Sequence, residues 1–160
     1  MFELGILTCS DKGSLGQRDD LSGKLIQEFL EKNGFHLNSY SIIPDDLETI
    51  KSNLIQLSDI NTIDLIITTG GTGVTKRDVT PEATEAIIEK KILGIPEIMR
   101  IKCFDLNPLS IISRAVCGYR NKTLIVNLPG NPKAIDECLT VILPVLDHTI
   151  QLIQSDSLEH

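Results

Sequence analysis

The sequence predicts an α/β fold with a mainly parallel, mixed sheet that helices cover on both faces. Three observations predict it. Short apolar runs alternate with amphipathic stretches of about ten to fifteen residues, turn residues separate them, and two late runs are spaced as a hairpin. Strands separated by such helices pair in parallel, because each helix returns the chain to the same end of the sheet. The hairpin supplies the antiparallel part.

Two strands and one helix are predicted at the start of the chain. Residues 2–9 form an apolar run that ends in a polar turn, which is typical of a buried strand. Residues 21–33 carry their apolar side chains on one helical stripe, and Gly34 follows as a C-terminal cap. Residues 35–43 predict a second strand, which Pro44 ends.

A second helix and a central strand follow. Asp45 is predicted to cap a helix over residues 46–57, because Glu48 completes a capping-box-like pair and the apolar residues share one face. Residues 65–69 are rich in β-branched side chains and too short for a helix, which predicts a central strand. A glycine-rich loop follows this strand directly.

The middle of the chain predicts two more helices. The first is expected to begin with Thr80 as its cap and Pro81 in its first turn, and to run to Leu93, where Gly94 ends it. A second helical stretch covers residues 96–105. These helices would cover the central strands.

The last third predicts the hairpin and one long helix. Residues 115–119 and 123–128 are the hairpin strands. The final helix is expected to begin at Asn131 and to continue towards Leu152, bent or split near Pro144, which lacks one backbone donor.

Composition and charge narrow the class of protein. The 160 residues, 41% hydrophobic and 23% charged, fit one globular domain over residues 1–157, while residues 158–160 resemble an expression-tag remnant. The net charge of −7 disfavours a nucleic-acid partner. No apolar run reaches the roughly 18 residues of a membrane helix, and no positively charged signal region opens the chain. Four cysteines without a C-x-x-C pair favour a reduced, cytoplasmic protein.

Function is expected in the loops after the first, second, third and fifth predicted strands, because ligands bind at the carboxyl ends of parallel strands. The loop after the third strand combines three glycines with Lys76, Arg77 and Asp78 ahead of a helix, a composition that can cradle phosphate. A tight strand-to-helix turn is the alternative. The loop lacks both the Gly-Lys-Ser/Thr of a P-loop and the third glycine of a dinucleotide fingerprint.

The other three loops are ambiguous when each is taken alone. Gly130 and Asn131 could form either a helix cap or an anion-binding site. Residues 10–23 are polar and long enough to form a lid, and Asp45 could simply cap the helix that follows it. Two carboxylates, Asp45 and Asp78, beside a phosphate site indicate a divalent cation, since carboxylate and phosphate repel each other. The residues therefore predict a magnesium nucleotide or another phosphorylated small molecule as ligand.

Five segments, in order along nearly the whole chain, carry a resemblance to a known family: SDKG at 10–13, DLSG at 20–23, TTGGTG at 68–73, RDVTPEA at 77–83 and NLPGNPKA at 127–134. The chain resembles the MogA/MoaB family of molybdenum-cofactor biosynthesis. The resemblance implies a three-layer α/β fold, usually trimeric, that binds molybdopterin. It also implies transfer of an adenylyl group from Mg-ATP to molybdopterin, giving adenylyl-molybdopterin and pyrophosphate. Contact with the molybdenum-insertion protein is a further expectation.

The resemblance also implies site residues. The functional carboxylates fall on Asp45 and Asp78, with Asp78 as the expected Mg²⁺ ligand. The expected nucleotide- and molybdopterin-binding residues are Ser10, Asp11, Asp20, Ser22, Gly70, Gly71, Thr72, Gly73, Pro129, Gly130, Asn131 and Pro132. Cys103 stands where some relatives have serine, and none of the four cysteines is given a catalytic role.

Three functional interpretations stay open at this point. The first is a MogA-type adenylyltransferase, and the second is a MoaB-type protein that binds molybdopterin without significant turnover. The third is the related fold of CinA-like proteins and of a domain of the MoeA insertion proteins. The short chain and the Arg77-Asp78 dipeptide argue against the third. A purely structural role is weakest, because four loops converge on one sheet edge.

Overall fold

A computed structural model describes residues 1–60 and 62–155, so the expected tag remnant at 158–160 lies outside the described residues. Six strands form one sheet. They are β1 (Phe2–Cys9), β2 (Phe35–Ile43), β3 (Leu65–Thr69), β4 (Lys90–Lys91), β5 (Cys117–Arg120) and β6 (Thr123–Leu128). Their spatial order is β2-β1-β3-β6-β5-β4. The first four strands of this order pair in parallel, and β5 and β4 continue the sheet antiparallel, as predicted.

The helices connect these strands. They are α1 (Asp11–Ser14), α2 (Leu21–Glu31), α3 (Leu47–Asp59), α4 (Thr80–Ile87), α5 (Gly94–Phe104), a 3₁₀ helix (Pro108–Ile112) and α6 (Pro132–Gln154). Within the stretches 1–60 and 62–155, no helix combines the length and apolarity needed to span a bilayer.

Side chains on each strand alternate between the two faces of the sheet, which gives two cores. On one face, residues such as Leu4 and Ile67 pack with α2, α5 and α6. On the other face, Leu7 and Ile66 pack with α3 and α4. Because successive residues of a strand point to opposite faces, each central strand feeds both cores. This arrangement confirms the three-layer α/β fold.

The predicted helix from Thr80 to Leu93 is wrong in its second half. Helix α4 ends at Ile87, because Ile88 is extended and Glu89 N–H donates to Tyr119 O at 2.8 Å. The chain thus forms the edge strand β4 before α5 begins at Gly94. Pairing with β5 outweighs the helical pattern of this segment. The predicted cap is also wrong, since Thr80 is the first helical residue and Val79 holds the cap position.

Two further predictions need correction. Helix α3 is capped by Asp46, whose carboxylate accepts Thr49 N–H at 2.9 Å, and not by Asp45. Helix α6 runs through Pro144 without a split. Ile142 and Leu146, on either side of this proline, are fully buried, so packing against the sheet holds both halves in one helix.

Candidate functional site

Four strands end side by side at one edge of the sheet. Cys9 pairs with Ile43, Thr8 with Thr69, and Thr69 with Leu128. The loops that follow β1, β2, β3 and β6 therefore start next to each other. They enclose a cleft of about 650 Å³. This is the edge of the sheet at which the sequence predicted the functional site.

The turn after β3 forms one wall of the cleft. Gly70 and Gly71 have φ values of 93° and 70°, a backbone region that favours glycine. A Cβ at Gly70 would collide with Cys9 O, and a Cβ at Gly71 would collide with Thr80 Oγ1. The turn therefore contacts its neighbours through bare backbone, and two glycines are required here.

Reciprocal hydrogen bonds join the loops after β1 and β2. Asp11 N–H donates to Asp45 Oδ2 at 3.1 Å, and Asp45 N–H donates to Asp11 Oδ1 at 3.0 Å. Arg77, from the loop after β3, donates to both carboxylate oxygens of Asp11 at 3.0 and 2.8 Å. A two-pronged guanidinium contact of this kind fixes both position and orientation. Three loops are thereby tied together through Asp11.

Asp45 presents one unused oxygen to the site. Its Oδ1 is buried and has no hydrogen-bond partner among the described residues, and Thr80 Oγ1 is a second such atom. A Cβ at Gly71 would lie 3.2 Å from Asp45 Oδ1, so both atoms flank that glycine. Burial raises the pKa of Asp45, and the negative charges of Asp11 and Asp78 raise it further. A buried carboxylate oxygen without a hydrogen-bond partner costs free energy of folding unless a ligand binds to it.

Asp78 lies beside the cleft and does not line it. Its Oδ2 accepts Thr75 N–H at 2.9 Å and Thr75 Oγ1–H at 2.7 Å. A Cβ at Gly73 would lie 2.7 Å from Asp78 Oδ2, so the carboxylate rests against the glycine turn. Asp78 is therefore held by its own loop, close enough to Asp45 for their charges to interact.

A second set of hydrogen bonds, centred on Asp20, holds the opposite wall of the cleft. Asp20 caps α2 by accepting Gly23 N–H at 2.9 Å, and its Oδ2 accepts Thr8 Oγ1–H at 2.6 Å. The Tyr40 hydroxyl donates to the same oxygen. Burial, followed by the Asp20 contact, raises the pKa of Tyr40. Sequence reasoning named Asp20 but missed Thr8 and Tyr40, which lie inside strands and carry no motif signal.

The loop after β6 closes the cleft. Ser22 donates to Gly130 O at 2.7 Å, and Thr69 donates to Pro129 O at 2.8 Å. Asn131 caps α6 by accepting Lys133 N–H at 3.1 Å. The N-terminus of this long helix therefore faces the cleft, where its dipole favours a negative group.

All but two of the predicted site residues line one or both of two adjoining cavities. Those lining the cleft are Ser10, Asp20, Ser22, Asp45, Gly70, Gly71, Gly130, Asn131 and Pro132. A second cavity of about 570 Å³, between α5, the 3₁₀ helix and α6, is lined by the predicted residues Thr72, Gly73, Pro129, Gly130 and Asn131. Gly130 and Asn131 line both cavities. Asp11 and Asp78 line neither and support the walls.

The charged groups differ in part from those expected. Arg77 is engaged with Asp11, and the cation that lines the cleft is Arg18, from the segment between α1 and α2. The length and polarity of the loop over residues 10–23 were the only sequence signals for Arg18. Burial raises the pKa of the Cys9 thiol, which also lines the cleft, to about 12, so this thiol is neutral at pH 7. Within residues 1–60 and 62–155, no group of three or more His, Cys, Asp or Glu side chains is arranged to bind a metal.

Comparison with known proteins gives consistent matches. The family model described as "Probable molybdopterin binding domain" matches residues 5–148. A molybdopterin adenylyltransferase of Helicobacter pylori strain 26695 is 44% identical over 156 residues, covering 95% of this chain and 88% of that protein. A molybdenum cofactor biosynthesis protein B of Bacillus cereus is 35% identical over 146 residues, covering 89% and 85%. The crystal structure of the MoaB enzyme of Thermus thermophilus is 42% identical, with a TM-score of 0.91 over 99% of this chain and 100% of that chain.

Proposed function

Because the chain belongs to the molybdopterin binding domain family, we propose that it is a molybdopterin adenylyltransferase of molybdenum cofactor biosynthesis. In this reaction a phosphate oxygen of molybdopterin forms a bond to the α-phosphorus of ATP. The bond from that phosphorus to pyrophosphate breaks, and pyrophosphate leaves with the electron pair. The observation that carries the proposal is the two-cavity site at the sheet edge, with the buried, unpaired Asp45 oxygen beside the Gly70–Gly71 turn.

Backbone donors and one cation support binding of the phosphate groups of the two substrates. Gly71, Thr72 and Gly73 have N–H groups that make no hydrogen bond within the described part of the chain, so they are available to phosphate oxygens. Arg18 adds a positive charge at the cleft, and the N-terminus of α6 adds a dipole end. Nucleotidyl transfer depends mainly on positioning and charge neutralisation, which such groups supply.

The carboxylates at the site fit a magnesium ion. The unpaired Asp45 Oδ1 and the neighbouring Asp78 offer the oxygen ligands that Mg²⁺ prefers, and a cation would offset the burial and the neighbouring negative charges that raise the pKa of Asp45. We propose that Asp78 holds the ion together with Asp45. When bound, Mg²⁺ neutralises phosphate charge.

The two cavities support two substrates. Gly130 and Asn131 line both, so ligands in the two cavities would meet at the loop after β6. We assign ATP to the cleft beside Gly70 and Asp45, and molybdopterin to the adjoining cavity. The predicted binding residues are distributed over both, which accords with a reaction that joins one substrate to the other.

We also propose that the protein is a homotrimer in the cytoplasm. Four apolar side chains between α5 and the end of the 3₁₀ helix are each 62% to 68% exposed: Ile101, Leu106, Leu109 and Ile111, of which Leu106 and Leu109 also line the second cavity. We propose that neighbouring copies of the chain cover these side chains. Sedimentation equilibrium tests this: we expect three times the monomer mass, and a monomer or a dimer at micromolar concentration would contradict the trimer. The four free thiols accord with a reducing compartment. Contact with the molybdenum-insertion protein stays a prediction.

The decisive experiment combines the purified protein with molybdopterin and Mg-ATP. Mass spectrometry detects adenylyl-molybdopterin, and a coupled assay detects pyrophosphate. Asp78→Asn is expected to lower turnover by about 10²-fold or more with the fold intact, since it removes a charge from the transferring centre. Asp147→Asn, an exposed position on α6, is the matched control and should keep full turnover.

Two results would count against this proposal. Pyrophosphate release that persisted in Asp78→Asn would remove the role given to that carboxylate. Tight binding of molybdopterin by the wild-type protein, with no product formed from ATP, would instead identify a binding protein without turnover.

A further inference from the structure

Arg114 contacts the loop after β3 from outside both cavities. It lies between the 3₁₀ helix and β5, and its own N–H donates to Thr72 O at 2.8 Å. Its Nε donates to Gly73 O at 2.7 Å, and its Nη2 donates to Asp78 O at 2.8 Å. Its Nη1 pairs with the carboxylate of Glu82, in the first turn of α4. One residue therefore contacts the loop at both ends and the helix that follows it.

The chemistry of these contacts requires a guanidinium group. Three nitrogens in one plane bind three acceptors that lie on different parts of the chain, and the rigid fork fixes the distances among those acceptors. A lysine ammonium is a single point on a flexible stem and cannot reproduce that spacing. The Gly73 and Asp78 carbonyls are thus held at a set separation by Arg114.

The loop fixed in this way carries groups assigned to the reaction. Asp78 is at its end, and the free N–H groups of Thr72 and Gly73 are at its start. Arg114 itself lines neither cavity. Its influence on a substrate would therefore act through the loop.

We propose that Arg114 is a positioning residue for the adenylyl transfer, which sets the placement of the Asp78 carboxylate and of the phosphate-binding N–H groups. This inference rests on the proposed function. A displacement of about 1 Å at a reacting centre can cost roughly 10²-fold in rate. Loss of the fork should therefore lower kcat far more than it alters the affinity for either substrate.

Arg114→Lys is the test variant, and Arg120→Lys is the matched control. Arg120 makes the same kind of contacts, donating to Asp59 at 3.0 Å and to Ile87 O at 3.1 Å, but it stands at the opposite end of β5 from Arg114 and does not contact the loop. We expect kcat to fall about 10- to 100-fold in Arg114→Lys, with KM for ATP within about threefold of wild type. Arg120→Lys should keep wild-type values of both.

A second measurement does not depend on turnover. Thr75 and Asp78 carry hydrogen-bonded amides within the loop, and their hydrogen exchange in the ligand-free protein should become faster in Arg114→Lys and stay unchanged in Arg120→Lys. Arg114→Ala provides a third comparison, because added guanidinium ion should restore part of its kcat if the missing group is the guanidinium fork. A general loss of folding would not be rescued in this way.

The outcomes separate the two proposals. If Arg114→Lys keeps kcat within twofold, or if its loop amides exchange as in wild type, the positioning role is overturned. If the wild-type protein forms no adenylyl-molybdopterin, the proposed function fails, while faster exchange in Arg114→Lys would still support the control of the loop by Arg114.

Discussion

Gly71→Ala tests whether the turn after β3 requires glycine because of its conformation or because of its neighbours. Gly71 has a φ of 70°, and a Cβ there would lie closer to the fully buried Thr80 hydroxyl than the 3.0 Å that real Cβ contacts keep. Gly16 has nearly the same φ, 72°, with nothing within 4 Å of its Cβ position. The two positions therefore share the conformational cost and differ in the collision.

The magnitudes follow from these contacts. A Cβ in the left-handed region costs about 1–2 kcal/mol, and the stiffer unfolded chain returns about 0.4–1 kcal/mol, so Gly16→Ala should cost roughly 1 kcal/mol. Overpacking against Thr80 adds about 1–3 kcal/mol at Gly71. We expect Gly71→Ala to lower the free energy of unfolding by about 3 kcal/mol, roughly 2 kcal/mol more than its control.

Urea unfolding at pH 7 measures both variants. The chain has no tryptophan, so far-ultraviolet circular dichroism is the signal, at one fixed protein concentration. In a Thr80→Ala background the collision with Oγ1 is absent, and the cost of Gly71→Ala should fall towards that of Gly16→Ala, with any remaining excess due to the closer contacts of Asp45 Oδ1 at 3.2 Å and the Cβ of residue 80 at 3.3 Å. Equal costs for Gly71→Ala and Gly16→Ala in the otherwise wild-type protein would refute the reasoning.

Two further substitutions test the groups around the cleft. Burial raises the pKa of Asp45 in the native state, so the folded protein releases this proton at a higher pH than the unfolded chain does. The free energy of unfolding of the wild type should therefore fall relative to that of Asp45→Asn as the pH rises from about 4 to 7. Urea unfolding at both pH values should show this widening difference, and a constant difference would contradict the burial of that charge. Tyr40→Phe removes the hydroxyl that donates to Asp20 and should cost about 1–2 kcal/mol in the same assay. Tyr119→Phe is its control, because the Tyr119 hydroxyl makes no hydrogen bond within the described residues, and equal costs for the two would argue against the Asp20 contact.

The sheet and the position of the site could be predicted from local patterns. Apolar runs such as Phe2–Cys9 and Leu65–Thr69 carry the signal of buried strands, and helices between them impose parallel pairing. Parallel pairing alone brings the loops after four strands to one edge. The convergence of Asp45 and Gly71 on one cleft was therefore expected before their contacts were known.

Other features depend on partners distant in the chain, which a local pattern does not contain. Residues 88–92 continue a helical pattern, yet they pair with β5 because that edge offers backbone partners. Asp45 and Asp46 carry the same side chain, and the structure uses them differently, because Asp46 caps α3 while Asp45 exchanges hydrogen bonds with Asp11. Arg114 follows no motif, and its role arises from two carbonyls in a loop about 40 residues earlier and from Glu82 in α4.

The mutual hydrogen bonds of Asp11 and Asp45 constrain how these loops can be exchanged or lengthened. Cys9 pairs with Ile43, so each aspartate stands two residues beyond a fixed point of the sheet. One inserted residue before either aspartate would break both bonds, and one inserted before Asp11 would also displace its contact with Arg77. The loops after β1 and β2 therefore act as one structural unit. A design that transfers a new substrate specificity into this fold has to replace both loops together, with their lengths matched.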